Sequence, residues 1–141
     1  MKKIEFTEVE KSIESIDIIE FENKFNIKLP ENYKRLMLKF NGGVPLDRVV
    51  YSDGDELTIG GFCSIKYGDI LLENSIYDYQ IREKIIPAGY IPIAYDAFDN
   101  PYSISTNKID YGKIYCRYFD TGDDEETLVA DSLEEFLGGE F

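Results

Sequence analysis

The sequence contains no histidine and no tryptophan, only two cysteines and five prolines, and about half as many basic as acidic residues. Without histidine there is no Ser-His-Asp or Cys-His nucleophile, no imidazole acid–base catalyst and no His-containing zinc site. Cys63 and Cys116 lie far apart with no CxxC partner, which argues against a structural zinc centre. Both sit in apolar, strand-like surroundings and read as reduced thiols of an intracellular protein; a disulfide between them requires adjacent strands. No GxxxxGK[ST] or GxGxxG loop is present. No apolar run approaches the roughly 20 residues that cross a bilayer. The opening MKKIEFTEVEK turns acidic before any signal-peptide-like apolar stretch, so a cytoplasmic location is expected.

What is abundant is negative charge. The 141 residues carry 28 acidic and 15 basic side chains, a formal net charge of −13. From Tyr118 to Phe141 there are nine acidic residues and no Lys or Arg. Such a surface repels nucleic acid and anionic membrane, which need cationic neutralisation, and attracts basic protein. The same charge also serves simple solubility. Carboxylates are the only plentiful reactive groups, and a pair of them is the minimum for glycoside hydrolysis. Asp120, Asp123, Asp124, Glu125 and Glu126 lack the ligand order of an EF-hand, so they read as a solvated acidic loop without metal. No cofactor is implied. Eleven tyrosines and nine phenylalanines crowd the chain; tyrosine suits protein interfaces because it buries area and keeps a polar tip.

The length suits one domain, residues 1–141, and the 43% hydrophobic fraction suits a globular core. Thr7-Glu8-Val9-Glu10 has the form of a capping box, followed by Val9, Ile13 and Ile16 at helical spacing. Asp17 offers a second helix start, with Ile18, Phe21 and Phe25 on one face. Pro30 opens a further helix in which Tyr33, Leu36, Met37 and Phe40 share an apolar face, and Asn41-Gly42-Gly43 closes it through residues that tolerate left-handed backbone. Strands are predicted over 48–51, 56–59 and 62–65, split by Asp53-Gly54 and Gly60-Gly61. Residues 69–86 read as a helix with Ile70, Ile76, Ile81 and Ile85. Tyr90–Tyr95 is a strand in which Pro92 marks a bulge or a strand start. Tyr102–Ser105 pairs back as a hairpin, and Lys113–Phe119 has the strongest strand composition. Thr127–Ala130 is a short strand, and Ser132 caps a last helix through Leu137, with Glu135 at the capping-box position. The fold class is α+β: N-terminal helices, packed with further helices on an antiparallel-rich, mixed sheet.

Four segments, in order, resemble the SUKH superfamily, the Smi/Knr-type domain. They are Phe25-Asn26-Ile27-Lys28-Leu29-Pro30; LPxxYK leading to Asn41-Gly42-Gly43; Ile91-Pro92-Ile93-Ala94-Tyr95-Asp96 with Asp99-Asn100; and Val129-Ala130-Asp131-Ser132-Leu133-Glu134-Glu135-Phe136-Leu137. Asn26 and Asp99 stand where the family usually has glycine. The signature residues Leu29, Pro30, Tyr33, Asn41, Gly42 and Gly43 look structural. The resemblance implies a non-catalytic binding protein, an immunity protein that neutralises a polymorphic or contact-dependent toxin. Charge adds that such a toxin is basic, as a nuclease must be. It also selects Asp120, Asp123, Asp124, Glu125, Glu126 and Tyr118 as the expected contact surface. A regulatory scaffold of the cell-wall-signalling type and a carboxylate-dependent hydrolase are the alternatives. The oligomeric state is left open.

Overall fold

The computed structural model describes residues 2–52, 54–122 and 124–141. A short strand β1 (Phe6–Thr7) precedes helices α1 (Ser15–Phe25) and α2 (Glu31–Lys39). Then come β2 (Val44–Pro45), the hairpin β3 (Val49–Ser52) and β4 (Asp55–Thr58), and β5 (Gly61–Phe62). Helix α3 (Leu72–Ile76) runs into a π-helical turn over Tyr77–Arg82. The hairpin β6 (Tyr90–Tyr95) and β7 (Pro101–Ser105), then β8 (Ile114–Cys116), β9 (Thr127–Ala130) and helix α4 (Leu133–Leu137) complete the chain.

The main sheet has the order β5-β6-β7-β8-β9, and every neighbouring pair is antiparallel. The antiparallel-rich sheet expected is thus observed; among the described residues, parallel pairing occurs only at isolated bridges such as Ser64 with Leu71. The register shift between Pro92 and Ala94 places a bulge where proline cannot donate to the ladder. All five residues of β7 are buried. Tyr102, its second residue, packs edge-on against Phe136 of α4, with ring centroids 4.8 Å apart. Tyr33, Leu36 and Met37 of α2 and Ile18 and Phe21 of α1 add to the same core.

Helix ends follow the sequence closely in places. Asn26 closes α1 in left-handed conformation (φ 52°), which its short polar side chain tolerates. Ser132 caps α4 by accepting from the Glu135 N–H at 3.0 Å, and the Glu135 carboxylate reaches the Asp131 N–H. The turn after α2 is different. Helix α2 ends at Phe40 in extended conformation, and the positive φ values fall on Gly42 and Gly43, not on Asn41. Asn41 is buried, and its side chain joins three segments. Its Nδ2 donates to the Lys11 and Ile65 carbonyls at 2.9 Å, and its Oδ1 accepts from the Ile65 N–H at 2.8 Å.

Three expectations fail. Residues 7–13 form no helix: Phe6 and Thr7 pair with Pro45 and Val44, and Glu8 has φ 57°. The expected strand over 62–65 contracts to Gly61–Phe62, because the Ser64 N–H donates to the Ile70 carbonyl and its carbonyl accepts from the Leu72 N–H instead of continuing the ladder. The 69–86 helix is broken into α3 and the π turn, with Ile70 and Ile81 about half exposed. The Asp53 half of the predicted Asp53-Gly54 turn lies outside the described residues.

Candidate protein-binding face

The site is assembled by a buried clamp in the β6–β7 turn. Asp96 Oδ1 accepts from the Phe98 and Asn100 N–H groups at 2.8 Å, and Asp96 Oδ2 accepts from Asn100 Nδ2 at 3.0 Å. Asp99 takes φ 62° in this turn, a left-handed conformation that short polar side chains tolerate. Asn100, 1% exposed, then reaches out of the turn. Its Oδ1 accepts from the Phe119 N–H at 2.9 Å and its Nδ2 donates to Asp120 at 3.1 Å. The acidic loop after β8 is thereby tied to the β6–β7 turn. The tie sets the Phe119 ring 5.8 Å from Tyr79 of the π turn.

One face results from three segments distant in sequence. Phe98 stands 74% exposed at the turn tip, and Phe119 is partly exposed beside Tyr79. Between α3 and β6 opens a cleft of about 330 Å³, walled by Tyr79, Tyr95, Ile70 and Asp99 and floored by Cys63 and Ser75. A second hollow of about 200 Å³ adjoins it across Ile70 and Tyr95 and carries Glu8, Glu10 and Asp69. Neither hollow has a lysine or arginine in its wall among the described residues.

The expected contact residues divide. Asp124 and Glu125 are exposed. Asp120 is exposed but held by Asn100. Asp123 lies outside the described residues. Glu126 turns inward: its side chain is only 6% exposed and pairs with the equally buried Arg117 at 2.9 Å. Burial raises the Glu126 pKa and the Arg117 charge pulls against that rise. Glu126 therefore does not add to the exposed acidic surface, a correction to its expected role. Tyr118 is half-buried against the core, and burial pushes its phenol up, so it offers less contact area than Phe98 or Phe119. Phe98 and Phe119 are not among the residues expected at the contact surface, whereas Tyr79 and Tyr95 belong to the tyrosine-rich set from which contacts were expected. A phenylalanine inside a turn-forming DAFDN segment was the available signal, since nothing in a tight turn buries it.

The signature segments meet in the interior instead. Leu29, Pro30 and Tyr33 are buried, as are Asn41 and Gly42. A side chain on Gly43 would begin 2.5 Å from the Thr7 carbonyl oxygen, and one on Gly42 2.9 Å from Ser64 Cβ. These segments lie in one contiguous sequence match: residues 13–139 fit the model of the SMI1 / KNR4 family (SUKH-1). The chain belongs to this family. It is also 31% identical over 113 residues to a Bacillus subtilis (strain 168) protein described as uncharacterized protein YnaB. That match covers 80% of this chain and 64% of the relative's length.

Within this SUKH-1 domain the other titratable clusters are structural. Asp110 is buried, which opposes its charge, yet bonds from Ser105, Tyr115 and Tyr90 outweigh burial and hold its carboxyl below the usual range. Its bonding capacity is spent inside the fold. Burial pushes the Cys63 thiol up to about 11 and the Cys116 thiol up to about 12. Both are free, and β6 and β7 separate the β5 edge, where Cys63 bonds Ile93, from β8 with Cys116. Thiolate is the reactive form, so neither cysteine should react with Ellman's reagent in the native protein. Both should react in urea, and a fast native phase would contradict their placement. Among the described residues, no three carboxylates or thiols converge closely enough to hold a metal ion. No helix there is long and apolar enough to cross a membrane.

Proposed function

We propose that this chain is an immunity protein: in the cytoplasm it binds a basic toxin of the nuclease class and blocks it, without catalysis of its own. One observation carries the reading. A member of the SUKH-1 family presents exposed aromatic side chains, Phe98 and Phe119, within a rim of exposed carboxylates on elements clamped rigidly together. Aromatic anchors inside a polar rim are the composition of a protein-binding hot spot. Acidic rims speed encounter with basic partners. A toxin that cuts nucleic acid must itself be cationic to hold its substrate, so the same surface that binds it also masks its substrate site.

The test is co-expression with a candidate toxin from a neighbouring gene. Growth should be rescued and the two proteins should co-purify. Combining Asp124→Lys with Glu125→Lys should slow association about tenfold at low salt and flatten its salt dependence, because both carboxylates are exposed and only steer. Association rates equal to those of the unaltered protein would remove these residues from the interface.

A further inference from the structure

The cleft between Tyr79 and Tyr95 has a chemistry narrower than a general acidic surface. Tyr95 ends β6, and its ring lies against Gly60 and Gly61. A methyl group on Gly60 would sit 2.9 Å from the ring's Cδ2, and one on Gly61 2.5 Å from its hydroxyl. The glycine pair therefore lets the ring lie on bare backbone and fixes it in place. On the other side Tyr79 is braced by Phe119. Asp99 stands at the rim, held by the turn that Asp96 closes. Asp99, Asp69 and Glu10 take part in no ion pair among the described residues, whereas the nearby Arg82 is already engaged by Asp78 and Glu83. Burial raises both tyrosine phenols, and the Asp99 charge adds to each rise. The phenols thus stay neutral and able to accept hydrogen bonds.

Two fixed aromatic walls with an unpaired carboxylate at the mouth are what a planar cation requires. A guanidinium stacks on tyrosine faces and pairs with a carboxylate at its edge. A lysine ammonium is compact and strongly hydrated, and gains less from flat walls. An anionic group is repelled by Asp99 and by the neighbouring Asp69 and Glu10. We infer that the Tyr79–Tyr95–Asp99 cleft seats an arginine side chain presented by an extended segment of the basic partner, with the adjoining hollow taking the residues that flank it. The identity of that partner rests on the proposed neutralising role; the cleft's preference for arginine does not.

The test uses a capped Gly-Arg-Gly peptide, titrated into the full ¹⁵N-labelled protein and followed by two-dimensional NMR. Saturable shifts should concentrate at Ile70, Tyr95 and Asp99. A citrulline peptide of the same shape should produce none, and a Gly-Lys-Gly peptide should bind at least threefold more weakly. Asp99→Asn keeps a residue that tolerates the left-handed turn and should weaken arginine binding at least fivefold with the rest of the spectrum unchanged. Tyr95→Leu should do the same without altering charge. Equal response to citrulline, shifts confined to 120–126, or full binding by Asp99→Asn would each overturn the assignment. If arginine binds here but the toxin does not, the neutralising role falls and the cleft assignment stands. If the toxin binds while the peptide leaves the cleft unmoved, the cleft assignment falls alone.

Discussion

Arg117→Ala should destabilise the protein by about 3–5 kcal/mol at neutral pH, the cost of leaving a buried charge without its partner. Arg117 and Glu126 are 7% and 6% exposed and approach 2.9 Å, yet Arg117 Nε and both Glu126 oxygens lack an aligned hydrogen bond. A pair so poorly bonded returns little of its desolvation cost. Arg117→Met combined with Glu126→Leu should therefore be as stable as the parent or more so, while Arg117→Ala alone is severely weakened. The pH dependence has a definite sign. Burial raises the Glu126 pKa in the folded state, so the native protein binds more protons than the unfolded chain between the unfolded carboxylate value of about 4.3 and the raised native one. Stability contributed at this site falls as pH rises through that window. Removing Arg117 deletes the influence that lowers the pKa and widens the window upward. The deficit of Arg117→Ala should then be largest at neutral pH and shrink towards the acid end, read from urea midpoints at several pH values. A deficit that stays constant with pH would mean that Glu126 is not buried in its charged form.

Asn41→Ala should cost about 3 kcal/mol or more, because it strands the Ile65 N–H and two carbonyls, each worth about 1–3 kcal/mol when buried without a partner. Asn41 is 3% exposed and bridges the segment before α1, the end of α2 and the segment after β5. Asn41→Asp keeps the acceptor for Ile65 but turns a carboxylate towards two carbonyl oxygens. It should be more damaging than Asn41→Ala at neutral pH and recover as the carboxyl protonates. Thermal or urea unfolding measures both. A loss below about 1 kcal/mol for Asn41→Ala, within the range of an exposed site, would refute the bridging role.

The sequence was most readable where local chemistry decides structure. Tyr33, Leu36 and Met37 mark the buried face of α2, Pro92 marks the bulge in β6, Ser132 caps α4, and Asn26 ends α1. It misled where distant contacts decide. The Thr7–Glu10 capping pattern is overridden because Phe6 stacks on Phe40 at 5.0 Å and meets Phe62 at 5.3 Å, holding β1 extended against β2. Ile70 and Ile81 are not on a common buried face: Ile70 precedes α3 in an irregular bend whose carbonyl accepts from the Ser64 N–H, and Ile81 lies in the π turn, which widens the helix and breaks the 3.6-residue period on which that face was drawn. Glu126 is indistinguishable in sequence from Asp124 and Glu125; only the fold brings Arg117 beneath it. The proposed binding face was legible in its charge but not in its aromatic pair, since Phe119 is set beside Tyr79 only through the Asp96–Asn100 clamp.

The role proposed for this SUKH-1 domain stands or falls on how it meets its partner. The direct measurement is the stopped-flow association rate with the cognate toxin across a salt series. A rate that drops at least tenfold from low to high salt, while the dissociation rate barely changes, is the predicted outcome for an acidic surface that steers a basic one. A rate indifferent to salt, or no complex at any salt, would contradict it.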